Sequence, residues 1–487
     1  MPGTIGGTGG EGAGGDAVPA AGGGGPTAVP GGLRRTLTFR DLIVYGLLFI
    51  APMAPVGIFG TLQAKSHGAI TLVYLVATVA MAFTAYSYAQ MVRVAPQAGS
   101  VYTYARVGLG EGAGFVAGWM AMLDYLLIPA VAYLFSGIAL HALVPSVHAW
   151  VWTALAVAVT TLLNLWGVRA AARVGFAVLA MEIVVLAVFV VSAVVELIAH
   201  GAPRGWAAPL TGEGGFAVGA VLAAVSVAVL SYLGFDAIAS FAEEAAGPVA
   251  TGEGGRGPGG PDRVARAVLT CLVVAGVLFA VQTYLAALLM PVSAAELAAR
   301  PAEQGGAFYA TVDAAVGGWL RDLVAVSKAV GAAFAALAGQ AAAGRLLFAM
   351  ARDRRLPGAM SKVDAGSGVP RRALLGAALV TLVAAVWAAR RDDGLDQLSS
   401  VVNVGALTAF GLLHASVIGC FWIRRAGGAP SVLRHLVVPL LGLAVVAAVI
   451  VEAAGAAQAV GGAWLVVGLG VLAVQYRGRG RAGGLRG

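Results

Sequence analysis

Charge is what this chain of 487 residues has least of. Asp, Glu, Lys and Arg make up 11% of it, against about 25% in a soluble domain. Hydrophobic residues make up 59%, more apolar surface than a water-soluble core can hide, so the sequence reads as an integral membrane protein. Cysteine is nearly absent. Cys271 and Cys420 both sit in apolar stretches and read as small hydrophobes rather than as a disulfide or metal pair. The six histidines are scattered, mostly at the ends of apolar segments, with no metal-like spacing. No nucleophile with its base and no clustered His and carboxylates stand out, which argues against a membrane enzyme, a metal site or a cofactor. The stretch GTIGGTGG near the N-terminus is low complexity rather than a phosphate loop, since no strand precedes it and no lysine follows. With no ATP-binding domain on the chain, any uphill work must draw on an ion gradient or on exchange.

A secretory signal is missing too. No charged-then-apolar pattern with a cleavage site precedes Leu42, so the first apolar helix is expected to stay in the mature protein. Fourteen of the first 32 residues are glycine, and that composition predicts a disordered tail.

What is present is a series of apolar segments, each near the roughly 20 residues that a spanning helix needs. They fall at 42–63, 69–92, 113–140, 147–166, 174–198, 216–242, 265–290, 319–350, 373–389, 397–422, 434–453 and 458–476. That predicts twelve crossings. If the N-terminus is cytoplasmic, the inner segments hold 23 Lys and Arg residues and the outer loops six, with Lys328 and Arg345 inside a span. The positive-inside rule therefore puts both termini in the cytoplasm. The same asymmetry accounts for the net charge of +8 without nucleic acid as a partner.

Two spans are interrupted. The first carries FIAPMAPVGIFG over 49–60, with Pro52, Pro55, Gly57 and Gly60. Proline removes a donor and clashes with the preceding turn, and glycine weakens a helix interior by about 1 kcal/mol. The sixth carries SYLGFDAIASFAEEA over 231–245, where Gly234 and Asp236 flank Phe235 after a long apolar run. Paired interruptions in corresponding helices of two repeats point to the binding site of an inverted-repeat transporter. Irregular backbone survives at membrane depth only where it is buried or lines a wet cavity.

Three stretches carry a family resemblance. AYSYAQMVRVAPQAGSVYTYARVGLGEGAGFVAGWMAMLDYLLIP (85–129) holds Pro96, Gly99, Ser100, Tyr102 and Tyr104 in the pattern Pro-x-x-Gly-Ser-x-Tyr-x-Tyr. YLGFDAIASFAEE matches a sixth-helix signature, and GRLLFAMARDRRLP (344–357) matches the end of helix eight. Over about residues 38–425 the chain resembles the amino acid–polyamine–organocation superfamily, in its putrescine-importer and amino-acid-permease branch. The resemblance implies an all-α integral membrane fold of twelve helices. Five plus five form an inverted repeat of the LeuT type with discontinuous helices one and six, and two helices are added. It divides the chain into a tail (1–37), one transporter domain (38–477) and a basic tail (478–487). Within the domain, repeat one covers about 42–198, repeat two about 216–422 and the extra helices 434–476. The implied function is a secondary importer of amino acids or polyamines across the cell membrane, coupled to protons, with the lipid bilayer, a small-molecule substrate and the coupling proton as partners. An amino-acid exchanger of the same fold is the alternative, and a passive channel is the reading from another class.

Departures from the family sharpen the substrate. Many relatives read Gly-Ser-Gly in helix one, where N–H groups hold a substrate carboxylate. Here the matching residues are Pro55, Val56 and Gly57, and proline has no N–H to give to an anion. Val56, Gly57 and Ile58 are left as N–H donors. The change favours amine-bearing substrates without an α-carboxylate.

The carboxylates agree. Asp236 holds the acidic position after the sixth-helix break, as a substrate ligand or as a cap on unwound N–H groups. Asp124 lies well inside the third span, as a ligand or as a partner of Lys328. Acids within the membrane are functional candidates by default. Ser231, Tyr232 and Gly234 would offer backbone carbonyls and space, with an alanine methyl at 234 projecting into the cavity. On that reading Gly234→Ala would keep or raise stability. Tyr232, Phe235, Tyr125 and Trp119 are candidate walls facing an amine by cation–π contact, with ordinary packing the stronger reading for Trp119 and Tyr125. Glu182, counted from Gly167–Arg169, falls where some proton-coupled relatives carry a lysine that substitutes for sodium. It is a candidate proton carrier, or an acceptor for an Arg or Lys of a neighbouring helix. The glycine-rich segment about 250–262 lengthens the cytoplasmic loop after helix six, and Glu243 and Glu244 before it are gate or cap residues.

Overall fold

The computed structural model describes residues 37–483 apart from 98–99, 167–170, 216, 244, 246–258, 353–357, 363–370 and 427. The expected disordered tail up to residue 36, Gly99, Gly167–Arg169, Glu244, most of the glycine-rich loop and the end of the 344–357 motif lie outside the described residues.

The described chain is helical, with a single isolated bridge between Leu37 and Ala245. The first span is split into α1 (Phe39–Ile50) and α2 (Phe59–Lys65). Then follow α3 (Ile70–Val94), a short α4 (Ser100–Gly108), α5 (Glu111–Leu143), α6 (Ala149–Trp166) and α7 (Ala171–His200). The sixth span is split in turn into α8 (Val218–Ala228) and α9 (Ala237–Ser240). The remaining long helices are α10 (Gly260–Leu289), α11 (Gly318–Arg352), α12 (Arg371–Ala389), α13 (Gly394–Ile418), α14 (Val438–Val451) and α15 (Gly455–Gly483).

Among the described residues eleven helical segments are long and apolar enough to cross a membrane. The fourth expected span, 147–166, is a shorter apolar helix at Ala149–Leu165. At 1.5 Å per residue its length is about 26 Å, a little less than the roughly 30 Å hydrocarbon core.

Helix α5 runs through the middle of the bundle, packed on α4, α6, α11, α12 and α13, while α3 pairs with α10. Small residues allow these close approaches. A Cβ on Gly276 of α10 would lie 2.6 Å from the Thr78 methyl of α3. Buried polar side chains are tied across helices: His414 of α13 meets the Ser87 hydroxyl of α3 at 2.9 Å. Outside the spans, Arg204 pairs with Glu213 and donates to the Met290 carbonyl at 2.9 Å. The Ser293 N–H and hydroxyl hold the nearby Glu296 carboxyl below its usual range. The short helix that follows Ser293 packs on α2, while α1, α3, α5, α7, α10 and α11 supply the residues around the site.

Candidate functional site

The first break begins where α1 ends. Ala51 turns the chain at φ 59° and ψ 109°, and its N–H reaches back to the Leu47 carbonyl. Pro52 cannot continue the ladder, because it has no N–H. The chain then makes a single 3₁₀ turn at Ala54–Gly57 before α2. Val56 N–H donates to the Met53 carbonyl and Ile58 N–H to the Pro55 carbonyl, each at 3.2 Å. These two N–H groups, expected from the sequence as free donors, therefore close the turn instead. The carbonyls of the break are served by other helices: Gln282 of α10 donates to Pro52 at 2.9 Å, and Lys328 of α11 to Met53 at 3.1 Å. Gly57 lies flat on Phe135 of α5, where a Cβ would come 2.5 Å from the ring.

The second break is built differently. Helix α8 tightens into a 3₁₀ turn at Val229–Tyr232, Leu233 swings out at ψ 135°, and Gly234 takes φ +112°. Only glycine adopts such a φ without strain. Asp236 reaches back along its own chain, accepting a hydrogen bond from Gly234 N–H at 3.2 Å. The capping alternative for Asp236 is thus realised in the geometry. The two breaks touch: a Cβ at 234 would lie 2.9 Å from the Phe49 carbonyl carbon and oxygen in the last turn of α1. The expectation that an alanine methyl would enter a cavity and leave stability intact is corrected, because that direction is filled by backbone.

Asp124 stands on α5 facing this region. It is buried, and its Oδ1 has no hydrogen-bond partner among the described residues. It lies within electrostatic reach of Asp236, and Tyr125 within reach of both. The Tyr88 hydroxyl of α3 also senses Asp236. Lys328 is not its partner. The lysine reaches into the first break, donating to the Met53 carbonyl and resting 4.8 Å from the ring centroid of Phe135 on α5. Of the two readings for Asp124, the pair with Lys328 is not formed; Lys328 instead approaches Glu182, in line with the alternative of Glu182 as acceptor for a neighbouring helix's Lys. Glu182 is buried on α7, and its Oε1 is also without a hydrogen-bond partner among the described residues. Lys328 and Glu182 act on each other electrostatically.

The aromatic walls divide. Phe235 is fully buried, edge-on to Tyr88 and tilted against Phe410 at centroid distances of 5.8 and 5.9 Å. Tyr232 faces away, with its ring on Tyr74 and Phe279 and its hydroxyl bonded to Thr78 Oγ1 at 2.7 Å. Its carbonyl accepts from Phe235 N–H, and the Ser231 hydroxyl is bonded to the Tyr74 hydroxyl at 2.9 Å. Trp119 is excluded from the region: it stacks on Trp464 of α15 at 4.8 Å, and each indole N–H donates to the other residue's carbonyl.

The structure thus brings together Asp124, Tyr125, Gly234, Phe235 and Asp236, with Val56, Gly57 and Ile58 in the adjoining break and Glu182 close behind it. Tyr88, Gln282 and Lys328 were missed as members. The signal for Lys328 was available, since it is a lone ammonium among the apolar residues of VAVSKAVGAAF. No group of three or more His, Cys, Asp or Glu residues arranged to hold a metal occurs among the described residues.

Comparison with known proteins adds the family. The family model for amino acid permeases matches residues 42–429. The low-affinity putrescine importer PlaP of Escherichia coli (strain K12) is 28% identical over 458 residues, covering 91% of this chain and 93% of that protein. The branched-chain amino acid permease BcaP of Bacillus subtilis (strain 168) is 28% identical over 423 residues, covering 79% of this chain and 81% of its own. A methylthioribose transporter of the same Bacillus strain is 28% identical over 407 residues, with the same two shares.

Proposed function

Because the chain belongs to the amino acid permease family and carries, among the described residues, eleven helices able to span a membrane, we propose that it is a secondary active importer of amine-bearing substrates, amino acids or polyamines. It works by alternating access around the two breaks, in the cell membrane, with both termini cytoplasmic. Glu182 carries the coupling proton.

One observation supports the substrate class above others: Asp124 and Asp236 are both buried at the second break and within reach of each other, and Asp124 has an oxygen without a hydrogen-bond partner. An unpaired carboxylate in such a place costs several kcal/mol, and a substrate ammonium arriving between the two would relieve that cost. Tyr125 and Tyr88 add ring faces and hydroxyls beside it. The first break, by contrast, has its Val56 and Ile58 N–H groups engaged and Pro55 without one, so it offers little to an α-carboxylate. Among the relatives, a putrescine importer and a branched-chain amino acid permease bracket this choice.

The test is a competition panel on purified protein in liposomes, setting putrescine and other amines against basic, neutral and acidic amino acids. Cationic amines should compete best, and glutamate or aspartate as the strongest ligand would overturn the reading. Accumulation against a gradient, abolished by a protonophore, separates proton-coupled transport from a passive channel and from exchange.

A further inference from the structure

On the proposed topology six basic residues lie on the outer side. Five of them, Lys65, Arg204, Arg300, Arg321 and Arg391, each pair with a carboxylate. Arg390 has no carboxylate partner among the described residues, and its guanidinium lies 4.5 Å from the Trp150 ring centroid instead. A ring face does not satisfy the N–H fork of a guanidinium, which matches phosphate oxygens in shape and charge. Trp150 stands at the start of α6 and Trp387 at the end of α12, with Arg390 and Arg391 in the turn that follows. Tryptophan gathers at the level of the lipid headgroups. Between the two helices runs a groove of about 660 Å³, lined by these four residues and by Ala154, Leu382, Val383 and Val386. Asp392 and Asp393 line a different cavity. Val383 is 62% exposed, so the groove opens sideways, where acyl chains lie.

The groove is apolar along its length and cationic at the headgroup end alone. A purely apolar helix of another protein would cover Arg390 without supplying an anion, and an uncompensated buried charge is costly. A phospholipid brings chain and anion in the matching order, and basic pockets between spanning helices recognise such headgroups. We propose that this groove binds one anionic phospholipid of the outer leaflet. Its phosphate meets Arg390 and Arg391, and an acyl chain runs over Ala154, Val383 and Val386. Arg391 lies 5.3 Å from the Trp387 ring centroid and keeps Asp393 as an exposed partner. Such a surface pair is weak enough to admit a second acceptor.

The test uses the full chain purified in detergent, with phosphatidylglycerol and phosphatidylcholine of the same acyl chains as probes. The choline head carries its own cation and so suits the arginines poorly. Native mass spectrometry should show the wild type retaining phosphatidylglycerol at least fivefold better. That lipid should also raise the Tm by several degrees where phosphatidylcholine does not. In Arg390→Gln with Arg391→Gln the preference should shrink to within twofold, with the lipid-free Tm close to the wild type. Ala154→Phe fills the groove and leaves both arginines in place. It should lose the preference too, and it carries the test if the double variant does not fold. Equal retention of the two lipids by the wild type, or a preference that survives in either variant, would overturn the proposal. Soluble glycerol phosphate should not reproduce the Tm rise, and a rise of the same size would show an anion site that makes no use of the groove, against the proposal. A dimer in detergent that Val383→Arg splits would give the groove to a second copy and likewise sink it. No substrate enters these measurements, so they stand apart from the importer reading.

Discussion

The two breaks solve the same problem with opposite chemistry. Where α1 stops, carbonyls of the break take donors from far along the chain: Gln282 reaches Pro52, and Lys328 joins the Val56 N–H on Met53. Where α9 is about to start, the orphans are N–H groups, and Asp236, two residues on, serves Gly234 itself. A helix C-terminus draws positive charge and a helix N-terminus negative charge. The first break is therefore closed from outside by an amide and a cation. The second closes itself with its own carboxylate. On the proposed function it is the second break that receives an amine, while the first is held by donors from other helices.

The largest effect should come from the point where the breaks meet. Gly234→Ala imposes a φ that costs about 1–3 kcal/mol for a residue with a Cβ. It also drives that Cβ into the Phe49 backbone, an overpacking that costs another ~1–3 kcal/mol. Thermal unfolding in detergent should show a clear fall in Tm together with lost uptake. A variant as stable as the wild type would mean that the second break is a soft kink, and the contrast with the first would collapse.

Asp236→Asn is the next, and it asks whether the second break does more than cap itself. Asparagine keeps an acceptor for the Gly234 N–H and removes the charge. Affinity for a cationic substrate should drop at least tenfold, about 1.4 kcal/mol, with Tm little changed. Binding measured on the purified protein decides it, and an unchanged affinity leaves Asp236 as a cap alone.

Much of this contrast was legible in the sequence, and the reason is local. Pro52, Pro55 and Gly234 mark the breaks through their own backbone chemistry, and a lone Asp or Glu in an apolar run announces itself. What was not legible is the rotation and axial offset of long, evenly apolar helices. Helix α11 neighbours α5, so a pair between Lys328 and Asp124 was reasonable, but the lysine meets α5 at Phe135, about 16 Å along that helix from Asp124. Trp119 follows the stronger of its two readings, ordinary packing: its helix turns it to α15, where Trp464 offers a stacking face and a carbonyl. The direction of the Gly234 Cβ depends on the approach of α1, which no local pattern encodes.

Tyr232 gives the smallest predicted effect and the sharpest test of how far the second break extends as a site. Its sequence position, between Ser231 and Gly234, suggested a wall for the substrate. Its hydroxyl instead joins α3, bonding Thr78 Oγ1 and the Tyr74 carbonyl at 3.1 Å. In Tyr232→Phe the Tyr74 carbonyl keeps a donor, because Thr78 Oγ1 also reaches it at 2.7 Å. The ring stays against Tyr74 and Phe279, so no cavity opens. The loss should be one net hydrogen bond, about 1 kcal/mol or less, seen as a slight fall in Tm. Substrate affinity should stay within twofold of the wild type, in contrast to Asp236→Asn four residues on. A tenfold loss of affinity in Tyr232→Phe would place the hydroxyl in the site and make the α3 contact a resting position that the substrate displaces.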